Sequence, residues 1–356
     1  MKSRIKKLQT RLTTENLDLL LVTFLPHVRY LSGYTGTNGI ILISPRTCFF
    51  LTDFRYQEQA KQQVKDLKVI VVQRDLFSGL PDLPALESKR IKMGFESEHL
   101  SCKIYRRLKV LLPDCILVPT EKMVEGLTLR KDQDEIEKIK KATDITDLVF
   151  SEILHCIQPG VRELDLAAEI EYRMKGFGSS TPYYETIVAS GVRSALPHGV
   201  ASSKKIVKGD FVTMDFGAVA DGYTADLTRT VVVGKANKRQ REVYDIVLKA
   251  QRHAVNKVKP GIRACDLDKT AREMIRKAGY GKFFGHGLGH GIGLQIHDNP
   301  AVNSSNQQIL EPGMVITIEP GIYIPNWGGV RIEDDVLITR GGHEVLTTSE
   351  RNLIQL

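Results

Sequence analysis

The feature that most constrains the fold is an internal repeat. Ile157-Gln-Pro-Gly-Val-Arg162 returns 101 residues later as Val258-Lys-Pro-Gly-Ile-Arg263. Asp165-Leu166 matches Asp266-Leu267, and Gly178 matches Gly279, at the same offset. In each copy a long helix precedes the Pro-Gly turn and a second helix follows it. A histidine-bearing loop and an acidic β-hairpin come next. Two related halves facing each other make a cleft with one acidic hairpin on each side.

The repeat occupies only the second part of the chain, and 356 residues suffice for one large or two ordinary domains. Earlier, residues 18–23, 39–44, 48–52, 69–72, 91–95 and 115–118 read as short strands. Residues 53–66, with Asp53 as a plausible N-cap, and 100–112 read as helices. A first helix carries Ile5, Leu8 and Leu12 on one face. This is an α/β domain with a mixed sheet and no evident catalytic cluster. The character changes where a charged stretch leads into an amphipathic helix from about Asp132 to Cys156. Its apolar positions are Ile136, Ile139, Ile145, Leu148 and Ile153. The expected domains are therefore 1–125 and 126–356.

Charge and cysteine usage exclude several classes. Residues 1–130 carry 21 Lys or Arg against 13 Asp or Glu, so the whole surplus of +8 lies there. It is spread over helices rather than gathered in runs, which reads as solvated surface and not a nucleic-acid footprint. No stretch approaches the roughly 20 apolar residues that cross a bilayer. The basic N-terminus is followed by polar residues where a secretory signal needs an apolar core. Five cysteines, odd in number and far apart, form no close pair of the zinc or redox kind. The expectation is a cytoplasmic protein with no nucleic-acid or membrane partner.

The chemistry lies in the acidic hairpins and in the segment between them. Phe211 to Val233 contains the turn signal Asp221-Gly222 between β-rich runs. With the turn centred between Ala220 and Asp221, Asp215 and Asp226 face each other directly. Their β-carbons would then be roughly 4.5–5.5 Å apart, a repulsive placement that needs a shared proton or a cation. A register one or two residues different would leave both carboxylates solvated. In the second hairpin, centred on Asn326, Glu319 and Glu333 fall opposite each other. A carboxylate ending an apolar strand is a poor core residue unless paired. Asp334 and Asp335 read as surface residues or as supports for the site.

Gly285-His-Gly-Leu-Gly-His-Gly-Ile-Gly293 places glycine at every second position. If extended, one face is bare backbone, open to close approach, while His286, Leu288, His290, Ile292 and Leu294 share the other. No lysine or following helix supports phosphate cradling. Four carboxylates and an imidazole make an oxygen-rich ligand set, whose charge balances two divalent ions. Two such ions can share a bridging water and lower its pKa, producing a hydroxide nucleophile suited to amide hydrolysis.

At these residues the sequence resembles the pita-bread metallopeptidases, which include methionine aminopeptidase, prolidase and aminopeptidase P. The first domain is similar to the creatinase-type N-terminal domain through Tyr30-Leu-Ser-Gly33 and Thr52-Asp-Phe-Arg-Tyr56. The resemblance implies a pita-bread catalytic domain with a pseudo-twofold repeat. It implies metal ligands at Asp215, Asp226, His290, Glu319 and Glu333. The large N-terminal domain, His286 and Arg331 resemble the proline-specific branch. By the same resemblance Glu319 would take the proton of the bridging water, while His198 and His297 would stabilise the substrate amide and its tetrahedral intermediate. His286, Tyr323 and Arg331 would line the proline pocket or orient the ligands.

The implied cofactor is a pair of divalent metals: Mn²⁺ first, with Co²⁺, Zn²⁺ and Fe²⁺ admissible. The implied partners are a peptide with proline at its second position and a second copy in a homodimer. Some archaeal-type prolidases carry an arginine shortly after the last histidine, where this chain has Ala301 and Val302. That departure favours an aminopeptidase P-like enzyme acting on longer Xaa-Pro peptides. A strict Xaa-Pro dipeptidase is the alternative. A binding module without catalysis, which would need no metal, is a third reading.

Overall fold

A computed structural model describes residues 2–73, 75–88, 90–180 and 184–356, with the backbone alone at Lys2. The chain divides into two compact units after Thr128.

The first unit runs α1 (Lys2–Thr14), β1 (Leu19–Val22), α2 (Leu25–Ser32), β2 (Ile40–Ile43), β3 (Cys48–Asp53), α3 (Gln57–Gln63), β4 (Lys68–Val72), β5 (Lys92–Glu96), α4 (Cys102–Leu111), β6 (Ile116–Thr120) and α5 (Glu125–Thr128). Its mixed sheet has the order β4-β3-β2-β1-β5-β6, with β1, β5 and β6 parallel. Ile5, Leu8 and Leu12 are buried, as their spacing requires. Asp53 accepts from the Arg55 amide and caps a short 3₁₀ turn, which delays α3 to Gln57. α2 is an element beyond those expected from the sequence. Tyr30-Leu-Ser-Gly33 is its last turn, ended by Gly33 at a φ of 77°, where glycine avoids the Cβ penalty.

The second unit opens with α6 (Gln133–Ile153), for which Asp132 and Glu135 form a reciprocal capping box. Ile136, Ile139, Ile145 and Ile153 are buried, but Leu148, expected on the same stripe, is 43% exposed. Then follow α7 (Glu163–Gly176), β7 (Ile187–Ser190), β8 (Phe211–Phe216), β9 (Val219–Ala220), β10 (Tyr223–Thr224), β11 (Leu227–Val232), α8 (Lys238–Val255) and α9 (Ala264–Lys277). The chain continues through β12 (Gly289–Gly291), β13 (Asp298–Val302), β14 (Val315–Ile318), β15 (Gly321–Ile324), β16 (Gly328–Arg331), β17 (Asp334–Ile338) and β18 (His343–Val345).

The repeat is visible bond by bond. Gly160 and Gly261 both take positive φ, 97° and 87°. Their amides donate to Ile206 and Leu310, at 2.8 and 2.9 Å. Arg162 clasps Asp165 with two side-chain nitrogens, and Arg263 clasps Asp266 in the same way. One half forms the sheet β11-β8-β7; the other forms β13-β12-β14-β17-β18. Separate apolar cores lie under them: Ile145, Val149, Ile170 and Met214 in the first half, Val247, Leu267, Leu288 and Ile316 in the second.

Candidate metal centre

Two hairpins meet at the site. In the first, Tyr223 pairs with Ala220, so the turn is Asp221-Gly222 itself and Asp215 faces Thr228. The register differs by two residues from the expected one. Because strand side chains alternate, a two-residue slip keeps Asp226 on the same face as Asp215, one diagonal step away. Neither carboxylate is left in open solvent. The Tyr184 hydroxyl lies 2.8 Å from Asp226 Oδ1 and 3.3 Å from Asp215 Oδ1, spanning the diagonal.

The second hairpin keeps its expected centre, since Ile324 pairs with Gly328 and Ile318 with Asp334. Glu319 and Glu333 occupy the break between those two ladders, where Pro320 offers no N–H. The hairpins are stitched together directly. The Glu333 amide donates to the Thr228 carbonyl at 3.1 Å, and the Arg331 amide to Thr230 Oγ1 at 3.2 Å. The carboxylates of the two halves therefore converge on one floor.

The glycine-rich segment is a strand only over Gly289–Gly291, with a bulge there, and its side chains do not share one face. Leu288 and Ile292 go into the interior, whereas His286 and His290 line the cavity. The bare positions serve neighbouring strands: a Cβ on Gly289 would lie 2.1 Å from the Thr317 carbonyl, and one on Gly291 2.1 Å from that of Asn299. His290 Nδ1 lies 3.1 Å from the Gly291 carbonyl, to which only an N–H can donate, so Nε2 carries the lone pair. That nitrogen is 3.4 Å from Glu319 Oε1 and 3.6 Å from Asp226 Oδ2.

Asp215, Asp226, His286, His290, Glu319, Tyr323, Arg331 and Glu333 line one cavity of about 450 Å³, and His198 and His297 are exposed along it. Asp226, His290 and Glu333 offer donor atoms within 4.8 Å of one another. Burial first, and then neighbouring carboxylates, raise the pKa of both Asp226 and Glu333 well above the ordinary range. Glu319 is pushed up to about 8, chiefly by burial; Arg331 opposes the rise and Asp215 adds to it. Glu333 Oε1 is buried with no hydrogen-bond partner among the described residues. Acids crowded in this way, one with an orphaned oxygen, beside an imidazole lone pair fit divalent cations.

Arg331 organises this floor. Its guanidinium contacts Asp215 and donates to Thr228 Oγ1 at 2.9 Å, and Thr228 in turn donates to Glu333 Oε2 at 2.6 Å. It also donates to the Tyr323 hydroxyl at 2.9 Å, leaving that O–H to donate to His286 Nε2 at 2.9 Å. Burial and the nearby Arg331 cation hold His286 down to about 4, so its ring is neutral at neutral pH.

Asp334 and Asp335 are fully buried, so of their two readings, surface residues or supports for the site, the first is corrected and the second stands. Asp335 accepts the Asp226 amide at 2.9 Å. Asp334 pairs with Arg229, a buried cation whose side chain also donates to the carbonyls of Thr228, Glu333, Ser349 and Glu350. Tyr184, Thr228 and Arg229 were not foreseen. Thr228 alone had a signal, standing two residues beyond Asp226 on the same strand face.

The model of metallopeptidase family M24 matches residues 137–340, and that of the creatinase/prolidase N-terminal domain matches residues 4–128. The chain belongs to metallopeptidase family M24 and is a hydrolase of pita-bread fold. It is 41% identical over 356 residues to an Xaa-Pro dipeptidase of Pyrococcus furiosus, covering 99% of this chain and all of the other. The solved Xaa-Pro dipeptidase from Bacillus anthracis superposes with a TM-score of 0.96 at 42% identity, covering 100% of this chain and 99% of that one. An X-Pro aminopeptidase from Thermotoga maritima gives 0.90 at 40% identity, with 96% and 98% coverage.

Proposed function

We propose that the protein is a metal-dependent Xaa-Pro dipeptidase. This reverses the preference for longer peptides drawn from Ala301 and Val302, because relatives about 40% identical over the full length carry the dipeptidase name. Absence of one arginine at one loop position is a weaker guide than likeness along the whole chain. The observation that carries metal dependence is the buried Glu333 carboxylate beside Asp226 and His290, with one oxygen lacking a hydrogen-bond partner among the described residues.

Asp215, Asp226, His290, Glu319 and Glu333 would hold two divalent ions, with Mn²⁺ the leading choice for an oxygen-rich set. Bound there, the ions would lower the pKa of the attacking water and polarise the scissile carbonyl. Glu319 accepts the water proton and later returns it to the leaving proline nitrogen, as a carboxylate placed beside the attacking water can. His198 and His297 donate hydrogen bonds to the amide and to the oxyanion that develops from it. The chain from Arg331 through Tyr323 to His286 fixes the wall against which the proline ring packs.

Turnover of Xaa-Pro and Xaa-Pro-Yaa peptides by metal-replete enzyme tests the substrate. Dipeptides are expected to be cleaved at least tenfold faster in kcat/KM. Preferential cleavage of tripeptides would restore the aminopeptidase reading. The absence of any turnover together with the absence of bound metal would favour the binding module.

A further inference from the structure

In the first unit, the carboxyl ends of three adjacent parallel strands carry a second group of ligand-type side chains. His27 follows β1, His99 follows β5, and Glu125 follows β6 at the start of α5. Their donor atoms lie within 4.8 Å of one another. The crevice beyond the carboxyl ends of parallel strands is where open α/β sheets hold ligands.

The arrangement is built rather than accidental. Glu96 ends β5 and is buried; its Oε2 accepts from the amides of Thr23 at 2.6 Å and Phe24 at 2.9 Å. Its Oε1 lies 2.6 Å from His27 Nδ1. A carboxylate that accepts from every neighbour leaves the proton on Nδ1 and the lone pair on Nε2. His27 is 1% exposed, and that Nε2 is buried without a hydrogen-bond partner among the described residues. Carboxylate–imidazole pairs of this kind orient metal-ligating histidines and raise their basicity. Phe24 sets the second imidazole. Its ring stacks on His99 at 3.7 Å and meets His27 edge-on at 4.9 Å, so the imidazoles stand 85° apart. His99 Nε2 lies 3.8 Å from Glu125 Oε1, and both side chains are partly solvent-exposed, which leaves a way in.

We propose that His27, His99 and Glu125 form a mononuclear transition-metal site, separate from the catalytic centre and suited to Zn²⁺. Two imidazole nitrogens and one carboxylate oxygen are a three-ligand zinc set with a fourth position open. Ligand distances of about 2.0–2.2 Å require the donors to close by roughly 1 Å, within the reach of the partly exposed His99 and Glu125. A bound ion would tie the ends of β1, β5 and β6 together and stabilise the folded state by linkage.

The test is zinc stoichiometry of the full chain after loading and buffer exchange, measured by mass spectrometry of the metal. The variant Asp226→Asn/Glu333→Gln removes two of the five catalytic ligands, and comparing it with and without His99→Ala tells the failure of either site from that of the other. It is expected to keep one equivalent of zinc, and a zinc-dependent rise in its melting temperature. Adding His99→Ala should abolish both. In the otherwise native chain, His99→Ala should lower zinc by one equivalent while peptidase turnover stays unchanged. Glu96→Gln should weaken the site about 10–100-fold. His99 is partly exposed where His27 is buried, so its loss is compatible with folding even where His27→Asn fails to fold. The assignment is overturned if zinc content and melting temperature are the same with and without His99, or if the folded catalytic-ligand variant retains no zinc.

Discussion

Asp226 concentrates the electrostatic problem of the site in one side chain. It is buried beside Asp215, Asp335 and Glu319; among the described residues His290 and the Tyr184 hydroxyl lie against it, and a proton or a cation must neutralise the rest. Asp226→Asn keeps the shape and removes a charge. We expect at least a 10³-fold loss of kcat, together with lowered metal content, measured on the same preparation. Full activity in that variant would defeat the two-metal reading. At this scale the acids were legible in the sequence, because a carboxylate next to apolar strand residues is conspicuous. Tyr184 and Arg229 were not, since a tyrosine before a strand and an arginine within one have many ordinary uses.

The hairpins and the glycine-rich segment work at the scale of the element. Gly217 follows β8, and a Cβ placed on it would lie 1.8 Å from the Ala225 carbonyl. Gly217→Ala must push the Ala225–Asp226 segment that leads into β11 away from Asp215. The expected cost is about 2–3 kcal/mol in denaturant unfolding, with weakened metal affinity in addition. An unchanged unfolding midpoint would mean that the strands can part freely. The hairpin register shows where reading by element stops. The Asp221-Gly222 signal located the turn, but the choice between centring it before or after Asp221 rests on backbone geometry. Asp221 at φ 50° and Gly222 at 82° are both left-handed, as a two-residue hairpin turn demands. Leu148 is a similar case, since helical spacing says which residues share a stripe but not how wide the covering surface is.

At the scale of the whole molecule, the metal-free protein should be unusually sensitive to pH. Glu319, raised to about 8, and Asp226 and Glu333, raised well above their ordinary values, bind protons in the folded state that the unfolded chain has already released. Such groups stabilise the fold at low pH. That contribution is lost as pH rises above the ordinary carboxylate range, at about 4–4.5, toward 8. Melting temperature after chelation is expected to fall between pH 5 and 8. Saturating Mn²⁺ should reverse the trend, because binding to the folded state alone favours it. A chelated protein whose melting temperature rose over that interval would contradict the crowding of charge described for the cavity.

The sequence by itself determined the duplicated architecture, most of the strands and helices, and the residues that carry charge into apolar surroundings. These follow from periodicity, turn chemistry and the cost of burying a carboxylate, all local properties of the chain. Only the tertiary structure decided which atoms meet. It joined the two hairpins through Thr228, Thr230, Arg331 and Glu333, buried Asp334 and Asp335 under the site, and gathered His27, His99 and Glu125 at three strand ends. Contacts of that kind join residues far apart in the chain, and no local pattern encodes them, because the geometry that makes them exists only once the sheets have formed.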